Sequence, residues 1–270
     1  MFFALVVLAV FTLWGNTALE VNKLTVKSTK IPESFNGFRI AQVSDLHNAQ
    51  IGQNNSRLLS ALRDSAPDII VITGDLVDSR RTDTAVALDF AKEAVKIAPV
   101  YYVTGNHEAR IADSLAGFEK DLTAFGVKIL HNETATLTNG SESVRLIGLD
   151  DPTFTPYLTH AETVDAQLES LCSPEYYTVL LSHRPELFET YVRHGVDLVF
   201  SGHAHGGQFR LPFIGGVFAP GQGFFPEYDC GTFKKDETVM AVSRGIGNSI
   251  FPLRFNNRPE IIITELVRSE

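Results

Sequence analysis

The sequence predicts an α/β chain folded as a four-layer α/β/β/α sandwich, with two mixed sheets face to face and helices outside. Three observations predict it. Short runs of β-branched and aromatic residues end abruptly in Gly, Ser or Thr, as buried strands do. In the first half these runs alternate with segments of helical period at intervals of roughly thirty residues, the spacing of βαβ units. In the second half the pattern changes to that of hairpins.

Phe38 to Val43, interrupted by Arg39 and Gln42, is the first strand of this kind and leads into Ser44-Asp45-Leu46-His47. Arg57 to Arg63 follows with helical period. Ile69 to Ile72 leads into Thr73-Gly74-Asp75, and Thr84 to Lys96 is again helical. Val100 to Val103 leads into Thr104-Gly105-Asn106-His107. Ala135 to Thr138 and Val144 to Ile147 read as a hairpin around the Asn139-Gly140 turn. Thr178 to Leu181 leads into Ser182-His183, and Val196 to Phe200 into Ser201-Gly202-His203-Ala204-His205. Thr238 to Val242 and Ile261 to Thr264 are two further strands. No linker, low-complexity tract or internal repeat interrupts residues 20–270, which read as one domain.

Composition narrows the class. The 270 residues are 44% hydrophobic and 20% charged, with 20 Gly and 12 Pro, which excludes a disordered chain, a collagenous repeat, a disulfide scaffold and a polytopic membrane protein. With 23 basic and 32 acidic residues the net charge is −9, which argues against a nucleic-acid partner because phosphate binding needs basic surface. Cys172 and Cys230 form neither C-x-x-C nor a zinc-ribbon spacing, and nothing requires them to pair.

Residues 1–19 form a separate segment. Phe2 to Trp14 is almost wholly apolar and no charge occurs before Glu20. As a helix, such a segment reaches about 28 Å, near the thickness of a bilayer core. A single N-terminal membrane anchor is the expectation, with a cleaved signal or a buried element as alternatives. Lys23, Lys27 and Lys30 follow the run, and a positive-inside reading keeps the next domain cytoplasmic, though the side of the membrane stays open.

The polar clusters share one location. Each follows the carboxyl end of an expected strand, where open α/β sheets place their ligands. Together they offer Asp45, His47, Asp75, Asn106, His107, His183, His203 and His205. Imidazole, carboxylate and one amide suit Mn, Zn or Fe. Setting His107 aside, the donors are too many for one ion that also binds substrate; they suit two divalent ions with a shared carboxylate. In an extended Asp-x-His or His-x-His, residues i and i+2 point to one side, so both can face one site. His131, His160 and His194 fall in no such cluster and read as structural.

Asp45-x-His47, Gly74-Asp75, Gly105-Asn106-His107-Glu108, His183 and Gly202-His203-Ala204-His205, in that order, resemble the calcineurin-like metallophosphoesterase superfamily. The apolar N-terminus, Ser182-His183-Arg184-Pro185-Glu186 and Gly202-His203-Ala204-His205-Gly206-Gly207-Gln208 are most similar to its membrane-associated bacterial branch, which includes UDP-2,3-diacylglucosamine pyrophosphatase-like phosphodiesterases. The resemblance implies a dinuclear metal site at the strand C-terminal rim. It implies that Asp45, His47 and His205 hold one ion, that Asn106, His183 and His203 hold the other, and that Asp75 bridges them. It implies hydrolysis of a phosphodiester or pyrophosphate, lipid-linked in the manner of a UDP-diacylglucosamine, by hydroxide generated between the ions.

His107 follows a ligand directly, and an imidazole there can protonate the leaving oxygen or stabilise charge on the phosphoryl oxygens; it is the expected general acid. Glu108 could orient it, although a surface carboxylate is the preferred reading. Arg80, Arg81 and Arg184 are left without a role, and no substrate-binding residue is assigned. From Phe200 to Phe233 the chain holds seven of its nineteen Phe and eight of its twenty Gly. That stretch is either a core-capping loop, the preferred reading, or an apolar lip beside the site. The alternatives to a phosphoesterase are a non-catalytic scaffold of the same fold and a nuclease.

Overall fold

The computed structural model describes residue 12 and residues 14–81, 83–248 and 251–270. Its first half contains β1 (Glu20–Ser28), β2 (Arg39–Val43), α1 (Ser56–Asp64), β3 (Ile69–Thr73), α2 (Ala85–Ala94), β4 (Val100–Val103), α3 (Asn106–Ala109), α4 (Ala112–Phe125) and β5 (Lys128–Ile129). The second half contains β6 (Glu133–Asn139), β7 (Glu142–Gly148), α5 (His160–Leu171), β8 (Thr178–Leu181), α6 (Phe188–Arg193) and β9 (Leu198–Ser201). Two tiny hairpins follow, β10 (Arg210–Leu211) with β11 (Gly215–Gly216) and β12 (Phe218–Ala219) with β13 (Gly223–Phe224). β14 (Gly231–Lys235), β15 (Thr238–Val242) and β16 (Glu260–Arg268) close the chain.

The long strands form two six-stranded sheets, ordered β1-β16-β2-β3-β4-β5 and β14-β15-β9-β8-β7-β6. Both are mixed. β2 to β5 run parallel while β16 opposes β2, and β7, β8, β9 and β15 run parallel while β6 and β14 oppose their neighbours. Alternation along the strands builds the layers. In β3, Ile69 and Val71 face the second sheet and join Leu146, Val179, Leu181, Leu198 and Phe200 in a core between the sheets. Ile70 and Ile72 face outward, onto Leu58 and Leu62 of α1 and Phe90 and Ala91 of α2. The second sheet presents Ile147, Leu180 and Val199 to Val164 and Leu168 of α5 and Phe188 and Tyr191 of α6. Both sheets are covered on both faces, so the four-layer expectation holds.

Register then brings the loops together. Ile72 pairs with Val43 and with Tyr102, and Leu181 pairs with Phe200, so the carboxyl ends of β2, β3, β4, β8 and β9 lie along one rim.

The expected N-terminal anchor is not upheld. Among the described residues no helix is long and apolar enough to cross a membrane, and most of the run from Phe2 to Trp14 lies outside the described residues. Its described end is tied into the folded chain. The Asn16 amide donates to the Arg254 carbonyl at 3.2 Å, and the Arg258 guanidinium lies 4.7 Å over the Trp14 ring. A helix end fixed by polar contacts to the C-terminal loop packs as part of the fold, and the expected membrane-associated placement is withdrawn.

Leu146 is fully buried between the sheets. Leu146→Ala is expected to lower stability by about 3 kcal/mol with an unchanged denaturant slope. A loss below about 1 kcal/mol in urea unfolding would contradict the inter-sheet packing.

Candidate metal centre

The rim loops fold inward through left-handed backbone. Asp45, His47, Asp75, His203 and His205 all have positive φ, between 44° and 64°. This replaces the extended i, i+2 geometry expected from the sequence: each side chain is aimed by a sharp local turn. Such conformations cost about 1–3 kcal/mol each in non-glycine residues and persist only where the surroundings enforce them. Close packing supplies the enforcement. A Cβ on Gly202 would run into Ser44 Oγ and Asp45 Oδ2. A Cβ on Gly74, itself at φ +89°, would lie 2.6 Å from His183 Nδ1.

Among the described residues two groups of donor atoms share Asp75, one of Asp45, His47, Asp75 and His205 and the other of Asp75, His183 and His203, and a third of His47, Asp78 and His107 adjoins the first; within each group the atoms lie within 4.8 Å of one another. In the first, His47 Nε2 lies 3.2 Å from His205 Nε2 and 3.4 Å from Asp75 Oδ2, and His205 Nε2 lies 3.4 Å from Asp45 Oδ1. In the second, His183 Nε2 lies 3.3 Å from the same Asp75 Oδ2 and 3.1 Å from His203 Nδ1. Asp75 therefore belongs to both groups, through one oxygen. Its Oδ1 accepts the His107 backbone N–H at 2.8 Å, which leaves Oδ2 as the oxygen facing both groups. Asn106 Oδ1 is buried without a hydrogen-bond partner, a lone pair left for a cation. His183 donates from Nδ1 to the Thr73 carbonyl at 2.7 Å, which turns the Nε2 lone pair toward the site.

Burial sets the electrostatics. It pushes His47 down to about 3 and holds His203 and His205 well below the usual histidine range, leaving these rings neutral. Burial also lifts Asp45 to about 6. For Asp75 burial alone would raise the carboxyl, but the charge and hydrogen bond of His183 outweigh it and hold it well below the ordinary value. His183 differs: burial opposes its charge, but the Asp75 carboxylate draws it up to about 10, a proton that a divalent cation held at Nε2 would displace. Neutral imidazoles and carboxylates are what such a cation requires.

His107 lies beside both groups, its ring edge-on to His47 at 4.5 Å. Its Nδ1 accepts the Ser79 N–H at 3.0 Å and lies 3.1 Å from Ser79 Oγ, with Asp78 Oδ1 at 3.5 Å. That arrangement fixes the tautomer carrying hydrogen on Nε2. Burial lowers its proton affinity.

Glu108 is no surface carboxylate. It is fully buried and accepts backbone N–H groups of Gly105 at 2.7 Å, Asp75 at 2.8 Å and Val77 at 3.2 Å. It thus ties the Asp75 loop to the start of α3. A Glu reaching back to the residue before a helix is a capping-box pattern, legible in Gly105-Asn106-His107-Glu108 but not used. Arg184 is buried as well. It forks onto Asp151 at 2.6 and 3.0 Å, donates to Thr153 at 2.9 Å, and places Nη1 2.9 Å from His203 Nε2. The first of these side chains holds the Asp75 backbone and the second braces His203.

The remaining residues resolve simply. His131 pairs with Asp150 at 2.9 Å and His194 with Asp165 at 3.0 Å, whereas His160 lines the cleft over the donor cluster. Cys172 and Cys230 are free thiols. The aromatic stretch is not a core plug: Phe213, Phe224 and Phe225 are 109%, 73% and 65% exposed, on or beside the two small hairpins. The turn of one hairpin, Pro220-Gly221, lines the same cleft.

A buried donor set of this kind, short of partners of its own, defines a metal-binding centre. The profile of the calcineurin-like phosphoesterases matches residues 38–207. The chain belongs to that family and is a hydrolase acting on phosphate esters. It is 30% identical over 254 residues to the uncharacterized metallophosphoesterase YkuE of Bacillus subtilis, covering 92% of this chain and 85% of that protein. It is 28% identical over 240 residues to the phosphodiesterase YaeI of Escherichia coli, covering 85% and 82%. A Danio rerio protein named as a transmembrane protein with a metallophosphoesterase domain is 32% identical over 273 residues, which span 96% of this chain and 60% of that one.

Glu108→Ala leaves three buried N–H groups without an acceptor. It is expected to cost about 2–4 kcal/mol of stability and to reduce bound metal after dialysis. Unchanged metal content would remove Glu108 from the support of the site.

Proposed function

We propose that the chain hydrolyses a phosphodiester or pyrophosphate bond at a centre holding two divalent ions, with residues 20–270 as the catalytic unit. The observation that carries this reading is Asp75 Oδ2, shared at 3.4 and 3.3 Å between His47 and His183 of the two donor groups. Asp45, His47 and His205 hold one ion; Asn106, His183 and His203 hold the other; Asp75 bridges them. The donor mixture fits Mn, Zn or Fe. Bound there, the ions draw charge from the phosphoryl oxygens and make water a usable nucleophile at neutral pH.

The chain's own residues do the rest. The Glu108 clamp and the His107 N–H keep the Asp75 carboxylate in one orientation. The Ser79 N–H keeps His107 in the tautomer that presents Nε2–H to the cleft. His107 then donates a hydrogen bond to the phosphoryl or leaving-group oxygen as negative charge grows on it. Of the two roles expected of His107 from the sequence, protonating the leaving oxygen and stabilising charge on the phosphoryl oxygens, the Ser79 N–H on Nδ1 supports the second. Arg184 fixes the ring plane of His203 from behind.

A finer substrate reading rests on the exposed hairpins. Phe218 and Phe224 pack edge to face at 5.4 Å, and the turn between their strands borders the cleft. An ester with an apolar group attached to phosphorus, as in a lipid-linked phosphate, matches that wall.

Two substitutions test the assignment. Asp75→Ala is expected to lose both ions and nearly all activity toward an aryl phosphodiester; normal metal content would refute the bridging role. His107→Ala is expected to keep both ions and lose about 10²- to 10³-fold in kcat. Loss of an ion in that variant would make His107 a ligand instead.

A further inference from the structure

The cleft above the donor cluster has a volume of about 360 Å³. Asp75, Asn106 and His107 line it, as do three arginines, Arg80, Arg110 and Arg184. Two of the arginines are committed. Arg184 forks onto Asp151, and Arg80 donates to Asp78 at 3.0 and 3.2 Å. Arg110 makes no ion pair or side-chain hydrogen bond among the described residues, and it is exposed. It stands directly after α3, three residues beyond His107, a spacing that puts both side chains on one helix face. His160, the first residue of α5, lines the same cleft and is likewise exposed.

An exposed guanidinium without a carboxylate partner keeps its full set of donors for an anion entering the cleft. A simple diester brings one negative charge, and the donor cluster with its ions takes that charge up. From these observations we propose that Arg110, flanked by His160, forms a second anion subsite that receives a phosphate group of the substrate beyond the scissile one. The guanidinium fork fits two phosphate oxygens side by side. The subsite selects esters carrying two phosphates over simple diesters, and it makes Arg110 a specificity-determining residue. The inference rests on the phosphoesterase reading above for the position of the scissile group.

Binding tests it without turnover. The probes are a methylene-bridged diphosphonate diester, which is not hydrolysed, and a phosphonate monoester of the same alcohol. Both are titrated by calorimetry into the metal-loaded full chain, with metal content checked afterwards. The wild-type chain is expected to favour the diphosphonate by about tenfold or more, one charge-assisted contact. Arg110→Gln should lose that preference and Arg110→Lys should restore part of it. An equal preference in wild type and Arg110→Gln overturns the proposal. A kinetic arm then separates two sources of the second phosphate. A pyrophosphate-linked diester is compared with a diester whose leaving group carries a separate phosphate monoester, each relative to a simple diester. The ratio of kcat/KM that collapses in Arg110→Gln identifies which arrangement the subsite takes, and if neither ratio moves the proposal fails. Absence of turnover on every ester by the metal-loaded wild type defeats the phosphoesterase reading instead, and the calorimetric comparison still reports on Arg110.

Discussion

The carboxylate of Asp75 is held from several directions at once. Its Oδ1 accepts the His107 N–H, its own backbone N–H is held by Glu108, and its Oδ2 faces His47 on one side and His183 on the other. Those contacts draw on the loops after β2, β3, β4 and β8. The two donor groups share this one oxygen, so any shift of it disturbs both. The left-handed turns, the glycines without room for a side chain, and the buried Glu108 all serve to keep it in place.

This constraint explains why so much polarity is buried at one rim of an otherwise apolar sandwich. The sheets supply rigidity: their faces are filled by Ile, Val, Leu and Phe between two helix layers, and their parallel strands end together. Buried imidazoles and carboxylates are costly in such surroundings unless they find partners. Here the atoms aimed into the site face mainly one another, at 3.1–3.4 Å, and Asn106 Oδ1, His47 Nδ1 and His205 Nδ1 find no partner. Divalent cations relieve that cost. Metal binding there would be coupled to folding, with sandwich stability sustaining a rim that is unfavourable on its own.

The cleft is chemically lopsided. Its floor is the donor cluster with His107, one part of its lining is cationic, and another part is the turn of a hairpin whose phenylalanines face solvent. In the proposed reading phosphate chemistry belongs to the floor, and the rest of the lining would distinguish one phosphate ester from another. Relatives of known fold and general activity leave that second question open, because it depends on side chains outside the shared donors.

Much of this was legible in the chain itself. Runs such as Ile69–Ile72 and Thr178–Leu181 are apolar on both faces because helices cover both sheets, and that continuity marks them as strands without further information. The polar residues that end them named every member of the two donor groups. Less periodic elements were not legible: α4 buries only Phe118 and Leu122, and α5 only Thr163, Val164 and Leu168, too few to show a face. The expected N-terminal anchor did not hold because apolar length is a local property, whereas the contacts of Trp14 with Arg258 and of Asn16 with Arg254 come from the far end of the sequence. Glu108 looked like surface because its three partners are backbone groups, which the sequence does not display. Composition and order thus determined by themselves nine of the twelve strands of the two sheets and the candidate donors, properties of local residue type, while β1, β5 and β14 went unread and the class of chemistry came from the resemblance of the motifs. Which oxygen of Asp75 is shared, which tautomer His107 adopts, and which arginine is left without a carboxylate were decided only by tertiary structure, because each depends on what residues far apart in sequence bring within hydrogen-bonding distance.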